Sequence, residues 1–267
     1  MNIMLNIIIA VIPTFLTLLC LQSLYRHRKQ AKEIWITFGM SLLFMFFVTI
    51  ILVVLGIVSL KYNISNPLLY DNISNPLIYS ILWAFLVTAI PEEIFRMLLI
   101  KVSRIGRKPF GKLMDGMIFG SAASLGFATV ENLLEIPDED IYTALGGIIV
   151  VLLHSMIGAI MGYHLAKSRF NKKTRYKEIA IALLIPIGLH SLYNFPGELI
   201  DGVYYSGSNM WVPMHLFLRI VSLSTLFIAF RLVKRRLYHA REELKEEIFG
   251  GTEDSSISTL KVNERFM

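Results

Sequence analysis

The sequence predicts an all-α protein, a polytopic transmembrane helix bundle of about seven spans with the N-terminus outside and the C-terminus in the cytoplasm. Three observations predict it. Of 267 residues, 55% are hydrophobic and 17% charged, and mean hydropathy is +0.59, a balance far from that of soluble domains. Apolar stretches recur at about residues 3–24, 34–60, 77–100, 113–134, 141–166, 178–199 and 211–233, each near the roughly 20 residues that cross a bilayer as a helix. Finally, 23 of the 26 lysines and arginines fall at residues 26–32, 101–112, 167–177 and from Arg231 onward. Seven alternating spans put all four segments on one side, which the positive-inside rule makes cytoplasmic.

The first span has no basic leader and no small-residue cleavage site, so it reads as a retained helix and not a removed signal peptide. Cys20, the single cysteine, lies in it and has no internal disulfide partner. After the second span, NISNPLLYD (63–71) is followed directly by NISNPLIYS (72–80), a tandem duplication too short for a solenoid unit, placed in an external loop. Asn63 and Asn72 open glycosylation sequons, which matter only in a eukaryotic secretory pathway. In the third span Pro91 removes the bond to the carbonyl of Val87, and in the sixth Pro186 does the same to Ala182. Kinks are therefore expected just before Glu92 and His190. Gly116 and Gly120 in the fourth span, with Gly158 and Gly162 in the fifth, are small-xxx-small pairs that let helices approach closely.

Beyond the last span, RLVKRRLYHAREELKEEIFGG reads as a helix leaving the membrane, and GTEDSSISTLKVNERFM as a polar, flexible end. The pI near 9.3 comes from cytoplasmic loops that face anionic lipid, so the lipid bilayer and not nucleic acid is the expected polyanionic partner.

Polar groups inside the spans need another account. The third carries Glu92, Glu93 and Arg96; the fourth Asp115, Glu131 and Asn132; the fifth His154; the sixth His190 and Asn194. A charge at the centre of a bilayer costs about 2.5–3.5 kcal/mol on insertion scales, so such groups face a bundle interior or a wet cavity and mark a functional site. Glu92 and Arg96 are spaced i,i+4, as are Phe127 and Glu131, and His190 and Asn194, so each pair shares a helix face. Asp115, at the mouth of the fourth helix, reads as a cap. His164 reads as interfacial, and His215 and Arg219 as snorkelling toward the external surface near Trp211. Straight helices would leave Glu92 in the cytoplasmic half and Glu131 near the external side, so the fourth span is expected nearer 116–137, or tilted.

EE-x-x-R at Glu92–Arg96, LMDGMIFGSAASLGFATVEN at 113–132, LLHSMIGAIMGYHLA at 152–166 and GLHSLYNF at 188–195 together resemble the PrsW family of bacterial intramembrane proteases, which is related to the CAAX-prenyl endopeptidase and bacteriocin-processing (CPBP) superfamily. The resemblance covers about residues 77–200. It implies a division into two N-terminal helices with the external repeat loop (1–76), a protease core of four helices (77–200), a last helix (201–233) and a charged cytoplasmic tail (234–267). It also implies a multi-pass protein of the bacterial plasma membrane that hydrolyses peptide bonds of membrane-anchored proteins, with Glu92, Glu93, Glu131, His154 and His190 as the essential set. Relatives are similar to a protease that makes the first cut in a membrane-anchored anti-sigma factor during envelope stress. The family's usual EExxK reads EExxR here, so Arg96 keeps the charge but presents a rigid fork.

Amide hydrolysis needs an activated water, a proton donor for the leaving amine and donors for the oxyanion. Glu92 or Glu93 suits the first task, with Arg96 partly neutralising one of them. His154, His190 and Asn194 offer N–H groups for the oxyanion, and Asn132 and Asp115 stand as supporting residues. A second mechanism has His154, His190 and Glu131 hold zinc or another divalent metal that activates the water. The absence of HExxH and the separation of the histidines onto two helices favour the glutamate route, and both stay open. The same residues could also form the relay of a proton- or ion-coupled transporter, though no internal repeat of helices is present, or belong to a non-catalytic member acting as a binding or immunity protein.

Overall fold

The computed structural model describes residues 3–24, 28–61, 75–103, 110–134, 141–205 and 212–263. All regular structure among them is helical. In chain order the elements are α1 (Ile3–Leu24), α2 (Arg28–Lys61), α3 (Pro76–Leu82), a π-helical segment (Trp83–Ala89), α4 (Ile90–Val102), α5 (Leu113–Leu134), α6 (Ile141–Phe170), α7 (Arg175–Tyr205) and α8 (Val212–Asn263). Among the described residues six stretches are long and apolar enough to cross a membrane: Ala31–Ile50, Pro76–Val102, Leu113–Leu134, Gly146–Phe170, Arg175–Asp201 and Val212–Glu243. In α1 the apolar part, Val11–Ser23, is shorter.

At the centre stands α5, buried without a break from Gly116 to Val130. Its glycines explain how. A Cβ on Gly120 would fall on the carbonyl of Gly158, and one on Gly162 on the carbonyl of Gly116, so α5 and α6 touch backbone to backbone where lipid supplies no hydrophobic drive. On its other side Gly126 lies against the backbone of α2 at Phe38 and Leu42, where Ser41 Oγ donates to the carbonyl of Ala123 over 2.5 Å. Outward-facing residues such as Phe46, Phe47, Leu86, Leu216 and Phe227 are exposed, as suits surfaces that meet acyl chains.

The second copy of the duplicated segment starts a helix. Asn75 caps α3, its Oδ1 accepting from the N–H groups of Leu77 (3.0 Å) and Ile78 (3.4 Å), with Pro76 at the first helical position. The first copy lies outside the described residues. Ahead of Pro91 the chain widens into the π-helical segment, whose end is closed by Ile90 N–H bonding to the carbonyl of Phe85. The missing donor and bulky ring of Pro91 are thus absorbed in a wider turn. No comparable segment precedes Pro186, since α7 continues past both Pro186 and Pro196.

Two expectations are corrected, and one residue gains partners that spacing did not show. α5 begins at Leu113 and not at 116, because Asp115 Oδ2 accepts from the N–H groups of Gly111 (2.8 Å) and Lys112 (3.1 Å) and Glu243 Oε2 accepts from Leu113 (3.4 Å), which fixes the start of the helix. His164, read as interfacial, is enclosed by protein. It is buried between Glu178 of α7, 2.6 Å from its Nδ1, and Arg236 of α8, whose Nε (3.0 Å) and Nη2 (2.8 Å) meet its Nε2; Lys167 Nζ closes on Glu178 at 2.9 Å. The tail is helical beyond the membrane segment as expected, and the polar end expected to be flexible is helical too, with α8 running to Asn263.

Candidate active site

Helices α4, α5, α6 and α7 bring four motif segments to one place. On α4, which Pro91 opens, Glu92 and Glu93 occupy the first turn. Being about 100° apart around the helix, they point differently. Glu93 turns wholly inward with 0% of its side chain exposed, whereas Glu92 keeps 25%.

The partner of Arg96 differs from the i,i+4 expectation. Its Nη1 donates to Glu93 Oε1 over 2.6 Å, an i,i+3 pair buried completely on both sides. Adjacent turns permit either spacing, and the inward course of the guanidinium decides. Its Nη2 lies 2.7 Å from His154 Nδ1 on α6, and its Cζ sits 4.9 Å from the ring centroid of Phe127 on α5. A buried charge is tolerable only when paired and hydrogen-bonded, and Arg96 has both.

The histidines complete the cluster. His190 Nδ1 on α7 lies 2.8 Å from Glu93 Oε1, and its Nε2 is 3.6 Å from Glu92 Oε2. His154 Nε2 lies 3.2 Å from Glu131 Oε2 on α5, and Glu131 keeps 22% exposure. Edge to face, the two rings stand 5.4 Å apart at 73°. Against the other face of His154 stacks Phe127, at 5.6 Å and 21°. Glu92 and Glu131 are thereby linked through the two imidazoles lying between them.

Of the residues singled out in the sequence, Glu92, Glu93, Arg96, Glu131, His154 and His190 therefore meet in one network. Asn194 is half-buried one turn along α7 from His190 and lies outside the bonded cluster. Asn132 does another task, its Nδ2 donating to the carbonyl of Gly147 over 3.1 Å and holding α5 to α6. Asp115 is at the far end of α5, in the capping contacts described above. Phe127 entered the sequence reading only as the i,i+4 neighbour of Glu131. Its contact with both His154 and Arg96 could not be read from spacing along one helix.

A metal held by His154, His190 and Glu131 requires three lone pairs aimed at one point. Among the described residues no three His, Cys, Asp or Glu side chains converge in that way. His154 adds a chemical objection. Arginine can only donate, so the Nδ1 that faces Arg96 must accept, and the ring proton then occupies the Nε2 that would bind the ion. As arranged, these residues do not form a ligand set.

Residues 39–224, more than half of the chain, match the family described as "PrsW family intramembrane metalloprotease". Among proteins named Protease PrsW, one from Oceanobacillus iheyensis is 32% identical over 193 residues, covering 72% of this chain and 83% of that protein. One from Clostridioides difficile is 30% identical over 198 residues, covering 70% and 77%. A third, from Bacillus subtilis, is 34% identical over 125 residues, covering 46% and 57%. No solved structure matches the chain.

Proposed function

The chain belongs to the PrsW family and is an intramembrane protease of the bacterial membrane, and from that premise we propose that it cuts membrane-anchored proteins with water activated by Glu92, without a metal. The observation that carries this is the division of labour in the EE pair. Glu93 is enclosed and engaged by Arg96 and His190, whereas Glu92 is only partly enclosed, with His190 Nε2 3.6 Å from its Oε2.

In the proposed step Glu92 takes a proton as the water oxygen attacks the scissile carbonyl carbon. His190 Nε2 relays that proton to the amide nitrogen, the carbon–nitrogen bond breaks, and the products are a carboxylic acid and an amine. His154, with its proton on Nε2, and the amide of Asn194 are the donors for the oxyanion. Glu131, partly open and with its Oε2 3.2 Å from His154 Nε2, can hold the water from the other side. Arg96 balances Glu93, so that the enclosed carboxylate serves as an organiser and not as a second base. Asn132 and Asp115 act at a distance, through helix contact and capping.

Residues 77–200 are the catalytic core in this account, with the first two helices, the last helix and the tail as its frame. The N-terminus is outside and the C-terminus cytoplasmic, as the distribution of 23 of 26 basic residues supports. Kinship with the CPBP superfamily is part of the proposal, supported by an arginine in the first motif. An anti-sigma factor in envelope-stress signalling is the proposed substrate on family likeness alone. Co-expression with tagged single-span membrane proteins tests the activity: fragments should appear with the parent and not with Glu92→Gln, and equal fragments from both would refute the assignment.

A further inference from the structure

We infer that Arg96 is a positioning residue that holds the two site histidines in opposite proton forms, His154 protonated on Nε2 and His190 on Nδ1. The inference deepens the catalytic reading above and rests on it for its functional meaning, but its structural content stands on separate geometry.

A guanidinium has five donors and no acceptor, and it keeps its proton in proteins. The atom 2.7 Å from Arg96 Nη2, His154 Nδ1, must therefore accept. A neutral imidazole that accepts at Nδ1 carries its proton on Nε2, which here faces Glu131 Oε2 at 3.2 Å. The other prong acts on the second ring through a carboxylate. Arg96 Nη1, 2.6 Å from Glu93 Oε1, keeps that oxygen an anionic acceptor, and the same oxygen lies 2.8 Å from His190 Nδ1. His190 must then donate from Nδ1, and as a neutral ring it keeps its lone pair on Nε2, 3.6 Å from Glu92 Oε2. One planar cation thus makes one histidine a donor and its neighbour an acceptor, with ring centroids 5.4 Å apart. Hydrolysis needs that pair of opposite capacities side by side, a donor for the oxyanion and an acceptor for the travelling proton.

Phe127 holds the plane of this device. It lies under the guanidinium at 4.9 Å and stacks on His154 at 5.6 Å, so the fork cannot rotate without losing a face contact. Lysine has the charge but a single nitrogen on a flexible stem. Its ammonium can donate to Glu93 and His154, but it does not fix their relative orientation as a planar fork does.

Nitrogen-15 NMR of histidine-labelled full-length protein in lipid nanodiscs tests the assignment, with the rings identified by His154→Gln and His190→Gln. The parent should show His154 as Nε2–H and His190 as Nδ1–H. Arg96→Lys should leave His154 in a mixture of forms and lower kcat by roughly tenfold with KM little changed, the size expected for one weakened charged hydrogen bond. Both rings in the same form in the parent would overturn the inference, as would Arg96→Lys that keeps both forms and full kcat. Should Arg96→Lys fail to fold, the parent spectrum alone decides. Because the spectra involve no cleavage, opposite forms in a parent that cuts nothing would uphold this assignment while ending the catalytic one.

Discussion

Glu92 and Glu93 are neighbours in sequence and opposites in surroundings: the side chain of Glu92 is 25% exposed beside His190, and that of Glu93 is 0% exposed, engaged by both Arg96 and His190. Adjacent carboxylates are thereby made chemically unequal by helix geometry alone.

That inequality predicts different failures for two isosteric changes. Glu92→Gln should fold with the stability of the parent and lose activity. Glu93→Gln should lose activity and also stability, because it strands a buried guanidinium, and breaking a buried pair from one side costs about 3–5 kcal/mol. Thermal unfolding in detergent checks both, and equal transition temperatures for the two variants would contradict the division.

The cluster of His164, Glu178, Lys167 and Arg236 ties α8 to α6 and α7. Arg236→Ala removes two donors to His164 Nε2 and one to the carbonyl of Leu232. A cost of about 1.5–3 kcal/mol is expected for the charged contacts. A cysteine replacing the buried Ala240 should become reactive to a thiol reagent in that background and stay protected without it; protection in both would mean that α8 is held by other contacts.

Much of this arrangement was legible in the sequence, for identifiable reasons. Helix positions follow from apolar length, and the polar residues at membrane depth stand out because the bilayer makes them costly. The glycines of α5 and α6 announced a close contact that the fold contains. What spacing along a helix could not supply was the choice between partners on different helices. Glu92 and Arg96 satisfy an i,i+4 rule, yet Arg96 turns to Glu93 because His154 and Phe127 lie on that side. The enclosure of His164 was hidden for the same reason: its partners are 14 and 72 residues away, and a single histidine near a basic loop carries no sign of them. The start of α5 depended on a carboxylate 130 residues from Leu113.

Orientation is tested by labelling from outside intact cells. With Cys20 replaced by serine, a cysteine introduced at position 68 in the duplicated loop should react with a membrane-impermeant maleimide, and one at Lys172 should react only after permeabilisation. The reverse pattern would invert the membrane orientation and every statement that depends on it.

The most direct test of the glutamate mechanism is single-turnover cleavage of a tagged single-span substrate by metal-stripped enzyme in proteoliposomes, with metal content measured on the same samples. The parent is predicted to cut at an unchanged rate after chelation, and Glu92→Gln to cut at less than about a hundredth of that rate. Activity lost on chelation and restored by zinc, or retained by Glu92→Gln, would contradict it.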